Sequence, residues 1–136
     1  MNARSVDVTP EFQVLAKGCV SRTVLDHITG RWGTLILIAL HENPKRFSEI
    51  RRAVDGINEK ALAQGLRLLE RDGFVDRLAS DGYPSRVEYR LTETGSRIAG
   101  RMAELIGHLY EEMPHVLIAQ SEYDERHPGP STGAGS

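Results

Sequence analysis

Residues 48–73 read SEIRRAVDGINEKALAQGLRLLERDG. Ile50 and Val54 repeat at helical spacing behind Ser48, which has the side chain of an N-cap, and Phe47 is placed to staple the start of that helix. Asp55-Gly56-Ile57 then forms a turn of the length that joins the two helices of a helix-turn-helix, and Asn58 caps a second helix running to about Asp72, closed by Gly73. At 100° per residue, Lys60, Gln64, Arg67 and Arg71 fall at about 0, 40, 340 and 20° on this second helix, a stripe roughly 60° wide with no acidic residue in it. Leu62, Leu66 and Leu69 lie opposite, at about 180–240°. A helix with one cationic edge and one leucine face can pack on a domain while offering Lys60 and Gln64 to base edges in a major groove and its arginines to guanine or phosphate. Ala63 borders the stripe, where it can touch a thymine methyl.

Outward from this pair, WGTLILIAL in residues 32–40 is too apolar for a surface helix and is expected as a central helix from Arg31 to about His41, stopped by Asn43-Pro44. Before it, Ser21 is expected to cap a short helix to about Ile28, with Gly30 in a left-handed closing position. Thr9 and Pro10 open a first short helix reaching Lys17. After the helix-turn-helix, FVDRL (74–78) and RVEYRL (86–91) read as strands, joined through the turn signal SDGYP (80–84). Thr92 caps a long helix whose apolar positions Ile98, Met102, Leu105, Ile106, Leu109 and Met113 keep helical spacing until Pro114. HPGPSTGAGS at 127–136 has the composition of a disordered tail. The expected fold is mainly α with a small β-hairpin, a winged helix-turn-helix dimerising through its terminal helices. Its parts are an arm and short helix at 1–18, the winged helix at 19–92, a dimerisation helix at 93–121 and a tail at 122–136. The apolar stripe of the long helix exceeds what one small domain needs to cover, which points to a symmetric dimer with two recognition helices.

The 136 residues carry a net charge of −2, which conceals an uneven distribution. Residues 1–30 hold three basic and three acidic side chains, 31–91 hold eleven and nine, and 92–136 hold three and seven. The cationic stripe is therefore local, with Lys45, Arg46, Ser48, Arg51, Arg52 and Arg86 placed around it as phosphate contacts. The longest apolar run, residues 35–40, is far short of the roughly 20 residues of a membrane span, and the N-terminus lacks a secretory pattern. A single cysteine, Cys19, excludes an intrachain disulfide and clustered thiolates for zinc, so a reducing cytoplasm is expected. No metal-ligand spacing, phosphate-cradling loop or nucleophile–base–orienter set is present, Cys19 with His27 or His41 included. Neither an enzyme, a metal nor a cofactor is expected.

Several blocks in order carry a resemblance: Cys19 ahead of the core, GRWGTLILIAL, RFSEIRRAVDGI, LRLLERDGFVDR and SRVEYRLTETG. Over about residues 19–95 the chain resembles the HxlR family of bacterial winged-helix regulators, relatives of the MarR group. The resemblance implies a homodimeric transcriptional regulator, one winged helix per subunit reading half of a pseudo-palindromic operator, with Lys60, Gln64 and Arg67 on the recognition helix and Arg86 on the wing. It departs from the family pattern at Gly65, where a larger polar residue is common, and at Ala63, where a hydroxyl is common. Cys19 matches a cysteine that some members use to sense electrophiles, quinones or oxidants, with Val20 in place of the usual proline. The residues themselves leave two roles open for Cys19, a thiolate favoured by a helix start near Lys17 and Arg22, or a small buried hydrophobe. A signal received in a pocket instead would enter between the terminal helices and the domain, near Phe12, Trp32, Met102 and Ile106. A winged helix serving as a protein-interaction module is the remaining alternative, and it would show no salt-dependent affinity for DNA.

Overall fold

The computed structural model describes residues 12–82 and 86–130. Five helices and three strands follow in the order α1 (Val20–Thr29), α2 (Gly33–Glu42), β1 (Lys45–Arg46), α3 (Phe47–Ala53), α4 (Glu59–Arg71), β2 (Val75–Ala79), β3 (Val87–Leu91) and α5 (Glu93–Arg126). The described residues fall into two compact units that divide between residues 102 and 103.

In the first unit α2 is the central helix that its composition demands: Ile36, Leu37, Ala39 and Leu40 are all buried. Ile50 and Val54 of the first half of the helix-turn-helix, Leu62, Leu66 and Leu69 of α4, and Phe74 and Val75 at the start of the wing close around it. Burying a leucine or isoleucine fully contributes about 1.5–3 kcal/mol, so the three α4 leucines alone fix which side of that helix faces inward. The sheet is antiparallel in the order β1-β3-β2, with Val75 opposite Leu91, Ala79 opposite Val87, and Arg46 opposite Glu88. This is a winged helix-turn-helix.

Two glycines take positive φ, Gly56 at 88° in the turn between α3 and α4 and Gly73 at 84° after α4. Both are places where a side chain would be strained. Thr92 joins the wing to α5: its hydroxyl donates to Gly73 O (2.6 Å) and accepts from Gly95 N–H (2.9 Å). A Cβ at Gly95 would run into the Phe74 carbonyl, so the start of α5 sits tight on the start of β2.

Several local expectations need correction. Residues 12–18 form turns rather than the end of a helix, while Thr9 and Pro10 lie outside the described residues. The cap of α1 is Cys19, not Ser21, which sits inside the first turn. Gly30 ends α1 in an extended conformation (φ −63°, ψ 173°), its N–H bonded to Asp26 O, because the chain must turn directly into α2 instead of curling back. Arg46, not Ser48, caps α3, its N–H held by Glu49 Oε1 at 2.7 Å. The hairpin gains a third strand, β1, since Lys45 and Arg46 lie within pairing range of β3.

The second unit is helical to Arg126. α5 passes through Pro114, at the cost of one backbone hydrogen bond, so the boundary at 121 falls inside a helix and residues 122–126 are not tail. Residues 131–136 lie outside the described residues.

Candidate nucleic-acid interface

Asn58 Oδ1 accepts the Ala61 N–H at 2.8 Å, satisfying one of the amides left open at the start of α4. With the leucine face inward, Lys60, Gln64, Arg67 and Arg71 are all exposed and Ala63 is half-buried beside them. The expected stripe is therefore presented as one edge. Gly65 does not belong to it: a Cβ there would stand 2.8 Å from Ile36 Cδ1, so Gly65 is the point where α4 presses on α2.

The surrounding cations have different situations. Among the described residues, Arg52, Lys60 and Arg67 have no carboxylate within salt-bridge range. Arg71 Nη1 lies 3.9 Å from Asp72 with its side chain largely in solvent. Arg51 Nη1 donates to Glu59 Oε2 at 3.1 Å. Lys45 is withdrawn from any phosphate role, because its Nζ donates to Ala39 O (2.8 Å), Asn43 Oδ1 (3.1 Å) and Glu42 Oε1 (3.2 Å), closing the end of α2. Ser48 is exposed in the first turn of α3.

Arg46 and Arg86, forty residues apart in sequence, meet in a groove of about 440 Å³ at the outer end of the wing's strands, lined also by Glu49, Leu78, Ala79, Ser80 and Glu88. The register β1-β3-β2 brings them together. Arg86 and Ser80 are paired through the backbone, Ser80 N–H donating to Arg86 O at 2.8 Å, which fixes where the wing narrows. The tip residues Tyr83, Pro84 and Ser85 lie outside the described residues.

Cys19 is half-buried at the N-terminus of α1. Its Sγ accepts the Gln13 N–H at 3.3 Å and stands 3.2 Å from Ser21 Oγ. The Gln13 amide first, then the Ser21 hydroxyl and amide, lower the thiol pKa from 9.0 to about 7 against a small opposing effect of desolvation. A thiol so placed is about half thiolate at neutral pH.

Of the residues expected to line a ligand pocket, Phe12 is exposed, and Trp32 and Met102 each pack against the core of the first unit. Trp32, with Arg31 4.8 Å above its ring, lines a cleft of about 210 Å³ whose other walls include His27, Ala61, Gln64, Gly65 and Leu68. Ile106 belongs to the second unit. The expected dimerisation set also divides: Ile98 and Met102 pack on the core of the first unit, whereas Leu105 and Leu109 are exposed and Ile106 and Met113 half-buried. Beyond Pro114 the helix exposes Leu117, Ile118 and Tyr123, which fall outside the expected set because a proline in an apolar period signals a stop.

One pairing carried no sequence signal. His27 Nδ1 lies 2.6 Å from Asp72 Oδ2, joining α1 to the end of α4 across 45 residues.

A family model described as HxlR-like helix-turn-helix matches residues 27–116, from the end of α1 through the whole winged helix into α5. The chain belongs to the HxlR-like helix-turn-helix family. The uncharacterized HTH-type transcriptional regulator YtfH of Escherichia coli K12 is 45% identical to it over 112 residues, 82% of this chain and 89% of YtfH. Among solved structures, the transcriptional regulator ytfH from Salmonella typhimurium is similar at a TM-score of 0.74 and 42% identity, covering 81% of this chain and 98% of its own. The redox regulator HypR in its reduced form is similar at a TM-score of 0.64 and 30% identity, covering 71% and 96%. As an HxlR-like protein, the chain is a DNA-binding transcriptional regulator of helix-turn-helix type.

Proposed function

We propose that this regulator binds a pseudo-palindromic operator as a homodimer, reading bases with Lys60, Ala63 and Gln64. Arg46, Ser48, Arg51, Arg67, Arg71 and Arg86 hold phosphates. The observation that carries this reading is the exposed cationic edge of α4, set opposite three buried leucines and flanked by the Arg46–Arg86 groove. Phosphate neutralisation by the arginines gives salt-dependent affinity, and Lys60 and Gln64 supply base discrimination. The exposed apolar side chains of α5, Leu105, Leu109, Tyr110 and Leu117, support dimerisation, since a row of this kind is seldom left to water. In this reading the protein acts in the cytoplasm.

Cys19 makes occupancy respond to electrophiles or oxidants. Its lowered pKa supports this, together with the likeness to HypR, which is described as a redox regulator. With one thiol per chain the reversible products are a mixed disulfide with a small thiol or, where two Cys19 side chains approach closely, an intersubunit disulfide. The Trp32 cleft beside Gln64 favours a second reading, in which a small ligand there sets DNA affinity and Cys19 is structural.

A gel-shift titration on the DNA upstream of the protein's own gene, with and without diamide or a quinone, tests both. Loss of the shift in wild type and its persistence in Cys19→Ser are expected. A response that survives in Cys19→Ser removes the sensor role and leaves DNA binding standing. Unchanged binding after charge reversal at Arg67 and Arg86 removes the interface and returns the winged helix to a protein-interaction role.

A further inference from the structure

His27 lies in the last turn of α1 and holds two other elements at once. Its carbonyl faces Gly33 so closely that a Cβ there would collide with it, and Thr34 Oγ1 donates to the adjacent Ile28 O at 2.6 Å, so the elbow between α1 and α2 is fixed. Its imidazole Nδ1 donates to Asp72 Oδ2 at 2.6 Å. Asp72 is the C-cap of α4, its own N–H bonded to Leu68 O. The two side chains are only 16% and 6% exposed, so the bond is shielded from competing water, where a charge-assisted contact is strongest. At the other end of α1 stands Cys19. That helix contains neither glycine nor proline, and at 1.5 Å per residue about 12 Å of rigid rod separates Cys19 from His27.

We propose that the His27–Asp72 pair is a positioning latch through which α1 sets the placement of the recognition helix, so that a change at the Cys19 thiol reaches operator affinity through this pair. The inference rests on the reading of Cys19 given above. A substituent on Sγ removes the acceptor that Gln13 N–H and Ser21 share and displaces the start of α1. The far end of the same rod then pulls on Asp72, at the end of the helix that carries Gln64, Arg67 and Arg71. N-ethylmaleimide is the probe: the thiolate forms an S–C bond as the maleimide C=C π bond breaks, and the neighbouring carbon takes a proton from water.

Anisotropy titrations of the upstream DNA, before and after N-ethylmaleimide, use wild type, Cys19→Ser, His27→Ala and His27→Asn. We expect modification to weaken wild-type binding about tenfold, within the usual range of coupling between two sites, and to leave Cys19→Ser unaffected. Unmodified His27→Ala is already weakened by about the same factor, and modification then changes it by less than about twofold, because one coupling has been removed twice. His27→Asn, whose amide nitrogen falls near the position of Nδ1, regains both the affinity and the response, which a loss of bulk packing alone would not permit. If His27→Ala fails to fold, His27→Gln keeps the bulk while moving the donor, and the Ala result is expected of it. A maleimide effect that adds in full on His27→Ala, or His27→Ala binding like wild type, overturns the latch while the Cys19 reading stands. Wild-type binding that ignores maleimide overturns the Cys19 reading and the latch's signalling role together.

Discussion

Arg51 Nη1 stands 3.1 Å from Glu59 Oε2, tying the first helix of the helix-turn-helix to the opening turn of the second. Both side chains are exposed, so the pair adds little to stability. Its effect is on charge, because the arginine nearest the start of α4 enters the encounter with DNA already matched by a carboxylate, whereas Arg67 does not.

The first prediction follows from that difference. Each phosphate neutralised contributes about 0.9 to the slope of log K against log salt. Arg67→Ala should lower the magnitude of the slope by about one, while Arg51→Ala lowers it by much less. Glu59→Gln, which releases Arg51, should raise it. Titrations at four or more salt concentrations measure all three, and equal slopes for the Arg51 and Arg67 variants would show that the ion pair does not persist at the interface.

Gly65→Ala should destabilise the fold despite alanine's better helix propensity. Propensity favours the change by about 1 kcal/mol, but the new methyl would meet Ile36 Cδ1 at 2.8 Å, and Ile36 is fully buried. Overpacking of this kind costs about 1–3 kcal/mol, so a net loss of about 1 kcal/mol is expected in urea unfolding. Ile36→Val removes the offending Cδ1. Combined with Gly65→Ala it should cost less than the two changes added separately, and strict additivity would mean that the contact is relieved elsewhere.

Thr92→Val keeps the shape and removes both hydrogen bonds of the hydroxyl, leaving Gly95 N–H and Gly73 O without their partner. A loss of about 1–2 kcal/mol in unfolding free energy is expected. Thr92→Ser, which keeps the oxygen, should recover most of it.

Alkylation of Cys19 by iodoacetamide should rise with pH to a plateau, with its midpoint near 7 rather than near 9, because the thiolate reacts and the Gln13 and Ser21 donors stabilise it. Below pH 6 the thiol is protonated and the rate falls about tenfold per unit. Ser21→Ala removes one donor and should move the midpoint upward. A midpoint near 9 in wild type would show that these hydrogen bonds do not hold in solution.

Features set by neighbouring residues were legible in the sequence. Asn58 three places before Ala61, leucines at 62, 66 and 69, and Thr92 three places before Gly95 carry their geometry in their spacing, and each is found as expected. Features that depend on partners far along the chain were not. The strand β1 is two residues long and exists because β3 lies beside it, so no periodicity could mark it. Lys45 looked like a phosphate contact until the end of α2 took up its ammonium. The reading of Gly30 failed because a tight elbow and a left-handed cap both call for glycine, and composition does not distinguish them.

The wing leaves the domain at Phe74 and returns at Thr92, and these two residues are bonded to each other, Thr92 N–H to Phe74 O at 3.0 Å. The excursion between them is a closed detour whose entrance and exit share one anchor. Lengthening or rewriting its outer turn, between Ser80 and Arg86, moves neither the helix before it nor the helix after it. Within this architecture the outer turn can drift by insertion and substitution without disturbing the helices that flank it, while changes on α4 must always answer to the three leucines behind it.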